Sequence, residues 1–296
     1  MCVGSVIALG MFDGVHIGHR ELIRTALRVA AETGCRPIAF TFLNHPAELF
    51  GPLPRLLTTS EERISTLKSL GIDVEAVQFD AAMADTPPAD FAAMLVNEYG
   101  MKHAVMGFNY SFGAKGAGNA ETMRELGSTL GFESSIVLPV KLNGITVSSS
   151  IIRNLIESGE LEEANVLLGA PYAITWHIVG SRKIGRSIGF PTANFRGISG
   201  KVLPRSGVYV TLAGMDGKTM QSITNVGNNP TVGGMETTVE THILNFSGDI
   251  YGKTLRVEFL KRLRDDRRFP SVPDLAAQIN EDVRCAKEYF ALRVAK

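Results

Sequence analysis

Strand-like and helix-like segments alternate through the first half of this chain and then stop alternating. That change constrains the fold more than any single motif does. "VGSVIAL" is a short apolar run ending at Gly10, and "GHRELIRTALRVAAETG" then carries Leu22, Ile23, Ala26, Leu27 and Ala30 at helical spacing and stops at Gly34. "RPIAFTFL" reads as a strand and "SEERISTLKSLG" as a helix that Ser60 is placed to cap. The pattern repeats through "DVEAVQF", "PPADFAAMLVNEYG", "KHAVMGF", "NAETMRELGSTLG" and "ESSIVLPV". Alternation of this kind implies parallel βαβ units and a doubly wound α/β sheet. Around Gly169 to Tyr172 the segments become short β runs split by turn residues, among them "YAITWHIVG", "SGVYVTLAG" and "TTVETHILNF". One clear helix, "VPDLAAQINEDVRCAKEYF", remains at the end. Evenly spaced short strands suggest a small β-barrel or sandwich. A chain of 296 residues exceeds what one ordinary core fills, so domains at 1–169 and 170–296 are expected.

Composition narrows the functional classes. Lys+Arg and Asp+Glu both total 30, so no bulk charge draws the chain to nucleic acid or to a membrane surface. Cys2, Cys35 and Cys285 are scattered, which argues against a disulfide framework or a zinc site and suits a reducing cytoplasm. No apolar run reaches transmembrane length, and the opening "MCVGSVIALGMFDG" lacks the basic start of a signal peptide. A cytoplasmic two-domain protein is expected.

The turn between the first strand and the first helix, "GMFDGVHIGH", carries His16 and His19 beside Gly14 and Gly18, with Asp13 close by. A strand, a tight glycine-containing turn and a helix form the usual phosphate site of an α/β sheet, outside the carboxyl ends of the strands. Residues three apart on a helix share a side, so both rings can face a phosphate at the helix N-terminus. They could equally bind a metal or cap the helix. No third ligand lies nearby, no H-E-x-x-H pattern occurs, and the G-x-x-x-x-G-K-[ST] loop is absent, which excludes a P-loop kinase.

In the second half, "SRKIGRSIGFPTANF" combines glycines with Arg182, Lys183 and Arg186. If "PTAN" is extended, Thr192 and Asn194 project on the same face, and a hydroxyl with an amide oxygen suits Mg²⁺ held by ATP phosphates. Their other reading is a turn followed by a strand. Glu240, in the apolar segment "VETHIL", needs a partner or a task if buried. General base is one such task, with Glu236 as competitor.

"FDGVHIGH" resembles the first motif of the HxGH nucleotidyltransferases. "TFLNHPAELF", "GFNYSFGAKGAGNAETM" and "VSSSIIRNLIESGELEEANVLLGAPY" come after it in the order of one branch, the prokaryotic bifunctional FAD synthetases, in which riboflavin kinase is fused to FMN adenylyltransferase. "GFPTANF", "GVYV", "NVGNNPTVG", "VETHILNFSGDIYGKTLRVEFL" and "RRFPSVPDLAAQINEDV" resemble the kinase module. The resemblance implies a nucleotidyltransferase-like sheet followed by a six-stranded barrel with a C-terminal helix. ATP, riboflavin and FMN would be substrates, FAD, pyrophosphate and ADP products, and Mg²⁺ would accompany ATP. It implies His16 and His19 as catalytic groups on the triphosphate, with Gly10, Phe12, Asp13, Gly18, Ser148 and Arg153 as further ATP contacts. Phe50, Asn109 and Phe112 would meet the flavin. In the kinase, Glu240 rather than Glu236 would be the base, Thr192 and Asn194 the metal ligands, and Lys183 and Gly185 ATP contacts.

Overall fold

A computed structural model of the protein describes residues 4–178, 192–196, 200–231, 234–246, 248, 250 and 252–294. The chain divides into two compact units, Met1–Ile151 and Ile152–Lys296. In the first, β1 (Ser5–Leu9), α1 (Ile17–Thr33), β2 (Arg36–Phe42), α2 (Ser60–Ser69), β3 (Asp73–Val77), α3 (Ala81–Asp85), α4 (Pro88–Tyr99), β4 (Met101–Gly107), α5 (Ala120–Leu130) and β5 (Glu133–Val137) succeed one another. The five strands form one parallel sheet in the order β3-β2-β1-β4-β5. Every residue of β1 is buried, as expected of a central strand covered on both faces. Val6 and Ala8 face the core shared with α1 and α2, while Ile7 and Leu9 face the one shared with α4 and α5. Strand addition reverses direction between β1 and β4, which opens a crevice at their carboxyl ends.

Local signals explain the helix limits. Gly34 ends α1 in the left-handed conformation at φ 71°, its N–H returned to the Ala30 carbonyl. The cap of α2 is Thr59 rather than the expected Ser60. The Thr59 hydroxyl accepts from the Glu62 N–H while the Glu62 carboxylate accepts from the Thr59 N–H, a reciprocal pair that Ser60 has no partner to form.

The second unit begins earlier than the change in sequence pattern. After a short hairpin, β6 (Lys141–Leu142) and β7 (Ile145–Thr146), come α6 (Ser149–Ser158) and α7 (Leu161–Leu168). Beyond Ile151 these helices join the β-rich region: the Asn165 amide donates to the Phe259 carbonyl, and the Arg205 N–H donates to the Ile156 carbonyl. The strands β8 (Tyr172–His177), β9 (Ala193–Arg196), β10 (Gly207–Met215), β11 (Lys218–Thr231), β12 (Gly234–Ile243) and β13 (Thr254–Arg264) make an antiparallel sheet ordered β8-β13-β10-β11-β12-β9. It curls until the Trp176 ring on one edge strand lies 5.0 Å from the Phe195 ring on the other, giving a partly closed barrel. One face carries a chain of buried hydroxyls, Ser222–Thr211–Thr224–Thr241, linked at 2.8–2.9 Å. The opposite face presents Val210, Ile223 and Leu260 to Ala286 and Phe290 of α8 (Val272–Val294). Cys285 is free.

Gly127 lies inside α5, where alanine is normally favoured by about 1 kcal/mol. A Cβ there would stand 2.5 Å from the Phe132 carbonyl oxygen, which belongs to the turn that leads into β5. Gly127→Ala should therefore destabilise the protein, by about 1–3 kcal/mol, measured as a lower urea midpoint. A midpoint raised by the helix propensity would show that the turn gives way.

Candidate active site

The turn after β1 has an uncommon backbone. Phe12, Gly14 and Val15 have φ of 54°, 82° and 42°, and the two non-glycines are fully buried, so packing holds a conformation that such residues seldom adopt. Asp13, expected among the ATP contacts, is engaged elsewhere. Its buried carboxylate accepts from the Leu57 N–H (2.9 Å), the Thr58 N–H (3.1 Å) and the Thr58 hydroxyl (3.3 Å), fastening the turn to the segment before α2. The Ser149 hydroxyl donates to the Asp13 carbonyl at 2.9 Å, which brings the "SSS" segment to the same turn.

His16 is the N-cap of α1, and its Nδ1 accepts from the His19 N–H at 3.2 Å. The two rings stack with centroids 3.6 Å apart and planes 15° from parallel. Gly18 permits this, since a Cβ there would lie 3.2 Å from both Nδ1 and Cε1 of His16. Parallel rings at that spacing do not converge on one ion, and among the described residues no group of three His, Cys, Asp or Glu side chains is placed to hold a metal. Burial lowers the His16 pKa to about 4, with Asp13 only partly opposing, and burial followed by the neighbouring His16 holds His19 well below the ordinary range. Both rings are thus neutral near pH 7. Because Nδ1 of His16 accepts, its proton sits on Nε2, a donor available to a ligand oxygen.

A cavity of about 840 Å³ opens outside the carboxyl ends of β1 and β4, where the strand order reverses. Gly10, Phe12, His16, Gly18, His19 and Ser148 line it, together with Phe50, Asn109 and Phe112. The structure therefore assembles nearly all of the front-half residues that the sequence singles out. Phe50 is 71% exposed at the mouth, set edgewise to Phe79 at 6.3 Å. Phe112 is buried, 6.0 Å from the Tyr110 ring and 5.6 Å from Phe91. Burial pushes the Tyr110 hydroxyl above its ordinary range. Arg153 belongs to the second unit, beyond the residues that line this cavity. Phe79, Phe108 and Leu138 line it without having been picked out from the sequence. Each lies one or two residues past a strand end, the position at which α/β sheets bind ligands.

In the barrel, Glu240 on β12 is paired in register with Asn225 on β11 and with Asn194 on β9. Glu240 and Thr192 are half-buried. Lys183 and Gly185 lie outside the described residues. Asn225, which no sequence signal within "NVGNNPTVG" had marked, has a buried side-chain oxygen with no hydrogen-bond partner among the described residues. Next to it, Gly227 leaves room for the Asp266 carboxylate, 3.4 Å from where a Cβ would stand. Asn194 and Glu240 stand at paired positions of adjacent strands, with Thr192 two residues before Asn194.

Comparison with known proteins matches the two halves separately. The FAD synthetase family model matches residues 2–151 and the riboflavin kinase family model residues 168–290. The bifunctional riboflavin kinase/FMN adenylyltransferase of Bacillus subtilis (strain 168) is 34% identical, with 97% of this chain and 93% of that protein covered. The enzyme of the same description from Escherichia coli (strain K12) is 33% identical, covering 98% and 94%. A crystal structure described as a macrolide-efflux protein from Streptococcus pneumoniae superposes with a TM-score of 0.89 at 32% identity, covering 97% of this chain and 95% of that one. Among the described residues of this chain, no helix is long and apolar enough to cross a membrane. Matched along nearly its whole length, with both family models in order, the chain belongs to the bifunctional riboflavin kinase/FMN adenylyltransferase family.

Proposed function

We propose that, in this bifunctional riboflavin kinase and FMN adenylyltransferase, the first unit adenylylates FMN and the barrel phosphorylates riboflavin. The carrying observation is that each family model falls on one separately folded region and that each region holds its own cluster of chemistry-bearing residues.

In the first reaction an oxygen of the FMN phosphate attacks the α-phosphorus of ATP. The bond to the β-phosphate breaks, giving FAD and pyrophosphate. Such transfers depend on positioning and on stabilising charge as it develops. The neutral His16 and His19 act as hydrogen-bond donors toward the triphosphate, placed at the start of α1 where backbone dipoles already favour an anion. Ser148 lines the same cavity, while Phe50, Asn109 and Phe112 receive the flavin.

In the second reaction Glu240 takes the proton from the riboflavin 5′-hydroxyl as that oxygen attacks the γ-phosphorus of ATP, and ADP leaves. Thr192 and Asn194 would hold Mg²⁺, which neutralises phosphate charge when bound with ATP. Lys183 and Gly185 contact the nucleotide. Because both steps consume ATP, the cytoplasm suits them.

His16→Ala should lower adenylyl transfer about 10²–10³-fold, the usual loss for one such donor, and leave kinase turnover near normal. Glu240→Ala should do the reverse. Incubation with riboflavin, ATP and Mg²⁺ followed by chromatography of the flavins reads both, and equal loss of the two activities in either variant would refute the division.

The neutral histidines also set a pH dependence. His16 has a folded pKa of about 4 against an ordinary value of 6.5, so between those values the unfolded chain binds more protons. Stability from this source is complete above pH 6.5 and drains away as pH falls toward 4, by about 3 kcal/mol in order of magnitude. The urea midpoint should therefore drop on acidification from neutrality to about pH 5. His16→Asn, which keeps a capping side chain, should show a smaller drop. Identical drops would mean that the His16 pKa is not depressed.

A further inference from the structure

The base proposed for the barrel has an uncommitted neighbour. Glu240 on β12 stands directly opposite Asn225 on β11. Side chains at paired positions of adjacent antiparallel strands leave the same face with Cβ atoms about 4.5–5.5 Å apart. Ile223, two residues before Asn225, shares that face and packs with Ala286 and Phe290 of α8. Asn225 and Glu240, beside that apolar cluster, are both half-buried.

The Asn225 side-chain oxygen is shut off from solvent and has no hydrogen-bond partner among the described residues. A buried acceptor left unpaired is costly, and folded proteins seldom keep one without a reason. The amide nitrogen stands over Gly227, 3.3 Å from the position a Cβ would take there, and Oδ2 of Asp266 lies 3.4 Å from that same point. The other Asp266 oxygen accepts from the Arg267 N–H at 3.0 Å. A donor is stable beside a carboxylate and an acceptor is not. The nitrogen therefore takes that side, and the oxygen is the group left over.

The strand order indicates what this oxygen meets. β12 runs between β9 and β11, so Asn194 and Asn225 flank Glu240 from opposite sides. With the metal and the ATP phosphates assigned to the Asn194 side, Asn225 lies on the side away from them. An oxygen that attacks phosphorus on one flank carries its carbon chain toward the other. The first polar group along that chain is the hydroxyl of the adjacent carbon, a donor that suits an unpaired acceptor. We propose that Asn225 accepts a hydrogen bond from the hydroxyl next to the one that is phosphorylated, the 4′-hydroxyl of riboflavin. The kinase thereby selects a vicinal diol over a lone terminal alcohol. The proposal rests on Glu240 being the base of the kinase reaction.

The test is steady-state phosphorylation of riboflavin and of 4′-deoxyriboflavin, with ATP and Mg²⁺, by the full chain unaltered and carrying Asn225→Ala or Asn225→Leu. Alanine removes the acceptor, and leucine removes it while keeping the bulk. The unaltered protein should show a kcat/KM for riboflavin about 10-fold above that for the deoxy analogue, the scale of one hydrogen bond whose partner is left buried. Both variants should bring the ratio to within about 2-fold of unity by losing activity on riboflavin alone. A ratio taken within one sample does not depend on how much of that sample is folded. Equal activity of the unaltered protein on both flavins would overturn the proposal. So would a loss in the variants that falls equally on both and leaves the preference intact, since Asn225 would then act only in support of the barrel. If Glu240→Ala left riboflavin phosphorylation unimpaired, the assignment of the base would fall first.

Discussion

The first site hangs on one buried carboxylate. Asp13 receives three hydrogen bonds from Leu57 and Thr58, and its own carbonyl receives the Ser149 hydroxyl. Three segments distant in sequence meet there: the turn after β1, the approach to α2 and the start of α6. Replacing that carboxylate with an apolar side chain would strand buried N–H groups, which is among the costlier defects in a protein interior. It would also release the left-handed Phe12 and Val15, whose conformations only their surroundings maintain. A second buried charge works beside it. The fully buried Arg63 donates to the carbonyls of Phe42 and Leu43, where β2 runs out toward the His45–Phe50 segment. Burial draws its pKa down, while the nearby charges of Asp13 and Glu61 oppose that shift.

On the proposed assignment, the two halves would meet phosphate chemistry by different means. The first cavity carries stacked imidazoles that burial keeps neutral at the start of α1, where a preoriented donor would need no reorganisation during reaction. The barrel instead sets a half-buried acid between two strands that carry asparagines at the paired positions. Stacked imidazoles kept neutral by burial would make a poor base, and a bare carboxylate would repel a triphosphate.

Much of this was legible from residue order. Helical spacing in Leu22, Ile23, Ala26 and Ala30 marks the buried face of α1, and Gly34 marks its end, because such signals act over a few residues. The histidine turn, the serine segment and the aromatic candidates were readable as motifs and converge on one cavity. What escaped depends on distant partners. Nothing near Asp13 in sequence announces Leu57 and Thr58, so its tie to the segment before α2 could not be read from residue order. The helices past Ile151 continue the α/β pattern yet join the barrel, through contacts such as Asn165 with Phe259 that no local signal reveals. Thr59 displaced Ser60 as a cap because Glu62 lies at the spacing that completes a reciprocal pair. The hydroxyl chain through Thr211 and Thr224 likewise hides in sequence, since threonines in a strand read as surface until their partners across the sheet are known.

The exposed rim of the first cavity has a consequence for the stability of the folded form. Phe50, Phe108 and Leu138 leave greasy surface in water when nothing occupies the space they surround. An occupant that fits only the folded form shifts the folding balance by mass action, by about 2.7 kcal/mol at a hundredfold excess over its dissociation constant. With the cavity empty, the folded form gains none of that stabilisation, and its exposed rings stay in water.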